Sequence, residues 1–200
     1  MKESRFTFTT SWPVLVVAMI GLSCLAGQAA AGAEVPESKQ TSLGLYATAA
    51  EAFAAWEAAP EEVTILDVRS PEEFILVGHP EMAWNVPLLL QTLEWDEEKG
   101  RFAMEPNPYF VAEVKEIASP ADRTVYVICR SGGRSAMAVD KLAEAGFTNA
   151  FSVIDGMEGD KVKDESSSDF GHRTINGWKN SGLPWTYSID RERMRLPVEE

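Results

Sequence analysis

Val125-Tyr126-Val127-Ile128-Cys129-Arg130-Ser131-Gly132-Gly133-Arg134-Ser135 is the stretch that decides the fold of this chain. Its first part, with Thr124, is β-branched and aromatic and reads as a buried parallel strand. A short loop follows that carries one cysteine, two arginines, two glycines and two serines. From Ser135 a helical pattern begins, with Ala138, Leu142 and Ala145 on one face and Gly146 as its stop. Strand, loop and helix in this order present a side chain at the carboxyl edge of an α/β sheet. Loop amides and the positive end of the helix dipole converge there and favour an anion. A cysteine so placed is expected largely as thiolate. Gly132 and Gly133 allow the tight curl of backbone that such a loop needs.

Cysteine usage sharpens this reading. The chain of 200 residues has two cysteines, Cys24 and Cys129. Cys24 lies in an apolar run, residues 14–26, that follows Lys2 and Arg5 and precedes Ala31-Gly32-Ala33. This order reads as a secretory signal peptide over residues 1–33, against the alternative of an uncleaved anchor. A lipoprotein reading is weaker, since Gly21 stands three residues before Cys24. Cleavage leaves Cys129 as the last cysteine, so no intramolecular disulfide forms. An unpaired thiol kept in an oxidising compartment points to a reactive role. The bland alternative is an inert cysteine after a core strand. The expected location is therefore exported and periplasmic.

Composition bounds the rest. With 45% hydrophobic residues the chain can bury one core, so one domain is expected. The formal charge is −13, and loss of Lys2, Glu3 and Arg5 makes it one unit more negative. Such a chain is a poor partner for nucleic acid or, once the leader is removed, for an anionic membrane. The two histidines, His79 and His172, stand alone without Cys-x-x-Cys or His-x-x-x-His spacing, so neither a metal site nor a cofactor is expected.

Along the chain, residues 34–42 are polar and read as a flexible lead-in. Residues 49–58 form an amphipathic helix stopped by Pro60, and residues 63–68 a second buried strand. Ser70-Pro71-Glu72-Glu73 caps a short helix. Asp67 and Arg69 at the strand end suit a structural salt bridge better than direct chemistry. His79 suits a packed structural role. Residues 91–108, with Gly100 at a turn between Trp95 and Phe102, read as an inserted hairpin or loop. Residues 109–118 form another helix, and residues 149–154 the last core strand. Residues 160–176 form a polar excursion, read here as a lid that brings His172 and Arg173 toward substrate, with a solvated surface loop as the alternative. Residues 188–200 are expected as a tail.

The loop resembles that of rhodanese-like sulfurtransferases. The resemblance extends to Leu66-Asp67-Val68-Arg69-Ser70-Pro71-Glu72-Glu73-Phe74, Gly78-His79, Asn85-Val86-Pro87, Gly146-Phe147, Asp155-Gly156-Met157-Glu158-Gly159 and Trp178-Lys179-Asn180-Ser181-Gly182-Leu183-Pro184-Trp185. It implies a three-layer α/β domain over residues 43–187, with a central parallel sheet of about five strands flanked by helices. The chain departs from the family's usual pattern at residues 80–84 and at Asp160, where an aromatic is usual.

By the same resemblance, Cys129 would take a sulfane sulfur from a small sulfur-containing anion and pass it to a thiol, cyanide or a protein acceptor. Arg130, Ser131, Gly132, Gly133, Arg134 and Ser135 would bind the anion, and Asp67 with Arg69 would support the architecture. The alternative for Arg134 is a salt bridge back into the scaffold. Cysteine phosphatases and arsenate reductases are the chemical rival, but their loop holds one more residue between Cys and Arg than the four found here. Outside enzymology, a sulfur carrier or a binding module would use the same fold.

Overall fold

A computed structural model describes residues 34–118 and 123–196. The expected signal peptide, residues 1–33, lies outside the described residues. Among those described, no helix is long and apolar enough to cross a membrane.

The elements run β1 (Tyr46–Ala47), α1 (Ala49–Ala58), β2 (Val63–Asp67), α2 (Pro71–Val77), β3 (His79–Pro80), β4 (Trp84–Asn85), β5 (Leu89–Asp96), β6 (Arg101–Pro106), α3 (Phe110–Ile117), β7 (Thr124–Ile128), α4 (Gly133–Glu144), β8 (Ala150–Val153) and β9 (Trp185–Thr186). Five strands form a parallel sheet in the order β1-β8-β7-β2-β4. Central β2 is buried along its whole length, as a strand covered on both faces must be. Its alternation sorts the core into two layers. Leu66 and Val68 pack with Val127, Phe110, Val139 and Leu142 under α3 and α4. Val63 and Ile65 pack with Ala52, Phe74, Met157 and Trp178 under α1 and α2. The three-layer α/β expectation holds.

Local chemistry sets the helix starts. Thr48 with Glu51 and Ser70 with Glu73 form complete capping boxes on α1 and α2, and Pro71 opens α2. Helix α4 starts at Gly133, two residues earlier than its sequence pattern suggests, and has no side-chain cap.

Two expectations about the periphery are corrected, and one small strand pair is added. Residues 34–42 are not a loose lead-in. Lys39 Nζ donates to the Ile154 carbonyl at 2.8 Å and to Asp160 at 2.9 Å, and Ser42 bonds Asp140 on α4. Residues 188–196 are not a tail either. Met194 pairs with Asn85 on edge strand β4 and is buried, and Arg193 donates to the Met82 carbonyl. An apolar side chain and a free strand edge draw this segment back. Last, β3 and β9 form a small antiparallel pair that no periodicity in two-residue strands could announce. The inserted residues 91–108 are, as read, mostly a hairpin, β5 pairing β6.

Candidate functional site

Cys129 follows β7 directly and is 2% exposed, at the carboxyl edge of the sheet. The chain turns at once into α4. Gly132 makes the turn with φ 100°, and its N–H donates to Cys129 Sγ at 3.2 Å. A Cβ at this position would lie 2.3 Å from the Ile154 carbonyl oxygen, so the site demands glycine for space as well as torsion.

A second segment holds the loop from behind. The Met157 N–H donates to the Cys129 carbonyl at 2.8 Å, and the Glu158 N–H to the Arg130 carbonyl at 2.9 Å. In a trans peptide the C=O and the following N–H point in opposite directions. The amides of Arg130 and Ser131 are thereby turned away from residues 157–158. Gly156 makes this approach possible, since a Cβ there would meet the Cys129 carbonyl oxygen at 2.6 Å. Asp155 anchors the same segment by accepting the Ala49 N–H at 2.8 Å and the Gly177 N–H at 3.1 Å. Burial pushes the Asp155 carboxyl up, although both amides pull it the other way.

The expected loop residues separate into two groups. Arg130 is exposed at the loop, Ser131 is partly buried, and Ser135 is fully buried with no hydrogen-bond partner for Oγ among the described residues. An unpaired buried hydroxyl costs stability unless a guest uses it. Gly133 begins α4, whose first amides lack a side-chain cap and so remain available to an anion. Arg134 is corrected as an anion ligand. Its guanidinium takes both oxygens of Glu73 at 2.5 and 2.6 Å, tying the start of α4 to α2. Burial opposes both charges of this pair. The mutual hydrogen bonds and charge outweigh it, so Glu73 is held below and Arg134 above its ordinary value.

Asp67 and Arg69 form the structural pair their spacing suggested, fully buried at 2.6 Å. Arg69 also donates to the Gly78 carbonyl, and Asn85 Nδ2 donates to the carbonyls of both residues. His79 stacks on Phe74 with ring centroids 3.7 Å apart, and burial lowers its basicity. The described residues include no group of three or more His, Cys, Asp or Glu placed to hold a metal.

The excursion over residues 160–176 gives its two candidates other surroundings. Arg173 gives its guanidinium to the Gly159 carbonyl, and His172 is exposed. Neither side chain hydrogen-bonds to the Cys129 loop among the described residues. The loop closes on itself through Val162 with Phe170 and Lys161 with Arg173. Sequence reasoning missed Lys39 and the backing role of Gly156. The signal for the latter was the spacing Asp155-Gly156-Met157-Glu158-Gly159, which places two glycines beside a strand end.

Comparison with known proteins agrees with this architecture. Residues 49–162, more than half of the chain, match the model of the rhodanese-like domain. The chain belongs to the rhodanese-like domain family. It is 38% identical over 119 residues to thiosulfate sulfurtransferase 16, chloroplastic, of Arabidopsis thaliana, a match covering 60% of this chain and 76% of that protein. It is 36% identical over 91 residues to senescence-associated protein DIN1 of Raphanus sativus, covering 46% and 44% of the two chains. Among solved structures, Rv0390 from M. tuberculosis aligns with a TM-score of 0.54 and 30% identity, over 72% of this chain and 99% of that one. The family and its sulfurtransferase members thus stand beside the site geometry.

Proposed function

We propose that this protein is a sulfurtransferase that works through a persulfide on Cys129. The observation that carries the reading is the Gly132 N–H donating to Cys129 Sγ in front of an uncapped helix, with the unpartnered Ser135 hydroxyl buried beside that helix start. These groups suit extra negative charge on sulfur. The Cys129 thiolate attacks the outer sulfur of a donor such as thiosulfate. The donor's S–S bond breaks, sulfite leaves with the electron pair, and Cys129 keeps the sulfur as a persulfide. A thiol or cyanide then takes that sulfur and returns the thiolate. Exposed Arg130 is the cation that meets the anionic donor. Engagement of Arg134 by Glu73 counts against the oxyanion-enzyme rival, which needs its arginine on the substrate. Residues 1–33 are proposed as the signal that exports the protein to the periplasm.

The test is intact mass before and after thiosulfate, with Cys129→Ser as control. The expected result is a gain of about one sulfur atom, absent in the variant, reversed by cyanide, with thiocyanate released over many turnovers. Absence of any adduct with thiosulfate and with persulfide donors would overturn the reading.

A further inference from the structure

We infer that the β5–β6 hairpin is a docking arm for a protein acceptor whose thiol stands among cationic and apolar side chains. The inference rests on the sulfur-transfer reading above and names the partner of its second step.

Placement comes first. The Leu88 N–H donates to the Val68 carbonyl at 3.1 Å, and the Asn107 N–H to the Leu88 carbonyl at 3.0 Å. The first leg is thus fixed to the residue that follows β2, and the second leg to the root of the first. The Val68 N–H in turn donates to the Ile128 carbonyl at 2.9 Å, one residue before Cys129. Three bonds across adjacent strand ends lead from the root of the arm to the cysteine.

Beyond Leu89, which packs on the core, the arm carries large apolar side chains that stay exposed in the described fold. Among the described residues β5 and β6 pair only with each other. A two-stranded ribbon is marginal in water and leaves both outer edges free. Trp95 and Phe102 meet edge to face across the strands, 5.3 Å apart, yet are 50% and 45% exposed. Between the two regular parts of the ladder the register shifts, and Leu93 in that irregularity is 93% exposed. Aromatic side chains on a rigid ribbon are the kind of anchor that carries binding energy at protein interfaces.

Charge selects the occupant. Over residues 89–106 acidic side chains outnumber basic ones five to two, and Lys99 is already paired with Asp96. A second copy of this chain, with its net charge of −13, would set acid against acid. A cationic protein with an apolar patch matches both features. The two half-reactions then use groups of opposite charge, exposed Arg130 for the anionic donor and the acidic arm for the acceptor. In the second step the partner's thiolate attacks the outer sulfur of the Cys129 persulfide. The S–S bond to Cys129 breaks, Cys129 leaves as thiolate with the electron pair, and the partner carries the persulfide.

The test uses two short peptides with one cysteine each, one otherwise of Arg and Leu, the other of Glu and Ser. Sulfur transfer to each from the Cys129 persulfide is timed, with cyanide as the small acceptor. The cationic peptide is expected to react about tenfold or more faster at low salt, with the advantage shrinking as salt rises. Trp95→Ser with Phe102→Ser, and separately Glu97→Lys with Glu98→Lys, should each remove most of that advantage and leave the cyanide rate unchanged. Equal peptide rates, an advantage that survives both variants, or equal slowing with cyanide would overturn the arm. If no persulfide forms, the sulfur-transfer reading fails by itself, and calorimetry decides docking. Binding of the cationic peptide to Cys129→Ser protein, lost with Trp95→Ser and Phe102→Ser, would uphold the arm; no binding would overturn it. A dimer in sedimentation that the same two changes dissolve would assign the face to a second copy and also overturn it.

Discussion

Residues 129–135 and residues 160–176 are both breaks in regular structure, and they are held in opposite ways. The Cys129 loop is gripped from outside. Its carbonyls accept amides from residues 157 and 158, its turn glycine fits against Ile154, and Arg134 is tied to α2. The excursion is gripped only at its neck. There the Asp160 N–H donates to Asn176 Oδ1, and Gly159 and Gly177 pack backbone on backbone. Lys39 and Asn180 add side-chain bonds to Asp160 and to the Arg173 carbonyl near the same neck, and the bridges between residues 161 and 173 and between 162 and 170 are internal. Precision therefore follows how many independent elements hold a segment, not how regular the segment is. A loop set by a neighbouring segment and a neighbouring helix can fix amides around one atom better than one set mostly by its own turns.

Four substitutions sharpen or break this contrast. The largest effect is expected from Gly156→Ala. Its φ of 65° and a Cβ 2.6 Å from the Cys129 carbonyl oxygen force residues 155–158 off the loop. A loss of about 3 kcal/mol in denaturant unfolding is expected, with little persulfide formed. Unchanged stability would show that the backing segment does not set the loop.

Ser135→Ala separates guest from scaffold. The hydroxyl has no partner among the described residues, so stability should hold or rise slightly, while persulfide formation slows by about tenfold or more. Equal persulfide rates in stopped-flow would leave Oγ without a role at the sulfur.

Next comes acid sensitivity. Glu73 is held below its usual value of 4.5 in the fold, so its contribution is present above about that pH and fades as pH falls through the lower folded value. Glu73→Gln should flatten this part of the acid limb of thermal stability, and an unchanged limb would count against the Arg134 clamp. The smallest effect belongs to the excursion. His172→Ala should alter stability by under about 0.5 kcal/mol and leave persulfide formation untouched. A change in rate would restore the lid.

Much of the centre of this molecule was legible before any coordinates. The β-branched run to Ile128, the glycines after Cys129 and the cap Ser70-Pro71 are local signals, and each encodes the element it forms. Asp67 and Arg69 sit two residues apart, close enough for spacing alone to suggest their bond. What escaped is long-range. Lys39 reaches Asp160 across 121 positions, and Met194 returns to Asn85 at the edge of the sheet. Strands β1, β3, β4 and β9 are two residues long and have no period to detect. Arg134 was readable as either ligand or clamp, and only its distance to Glu73 decides between them.

The pinched neck at Gly159 and Gly177 has an evolutionary consequence. When the two ends of a loop are clamped together, what lies between them is relieved of any duty to close it. Doubling the length of such a loop costs only about 0.6 kcal/mol in closure entropy. Residues 160–176 are thus a place where sequence can be lengthened, shortened or exchanged with the bond from Met157 to Cys129 left standing. Divergence in this chain is free to collect there, a few residues along the chain from the segment that backs the Cys129 loop.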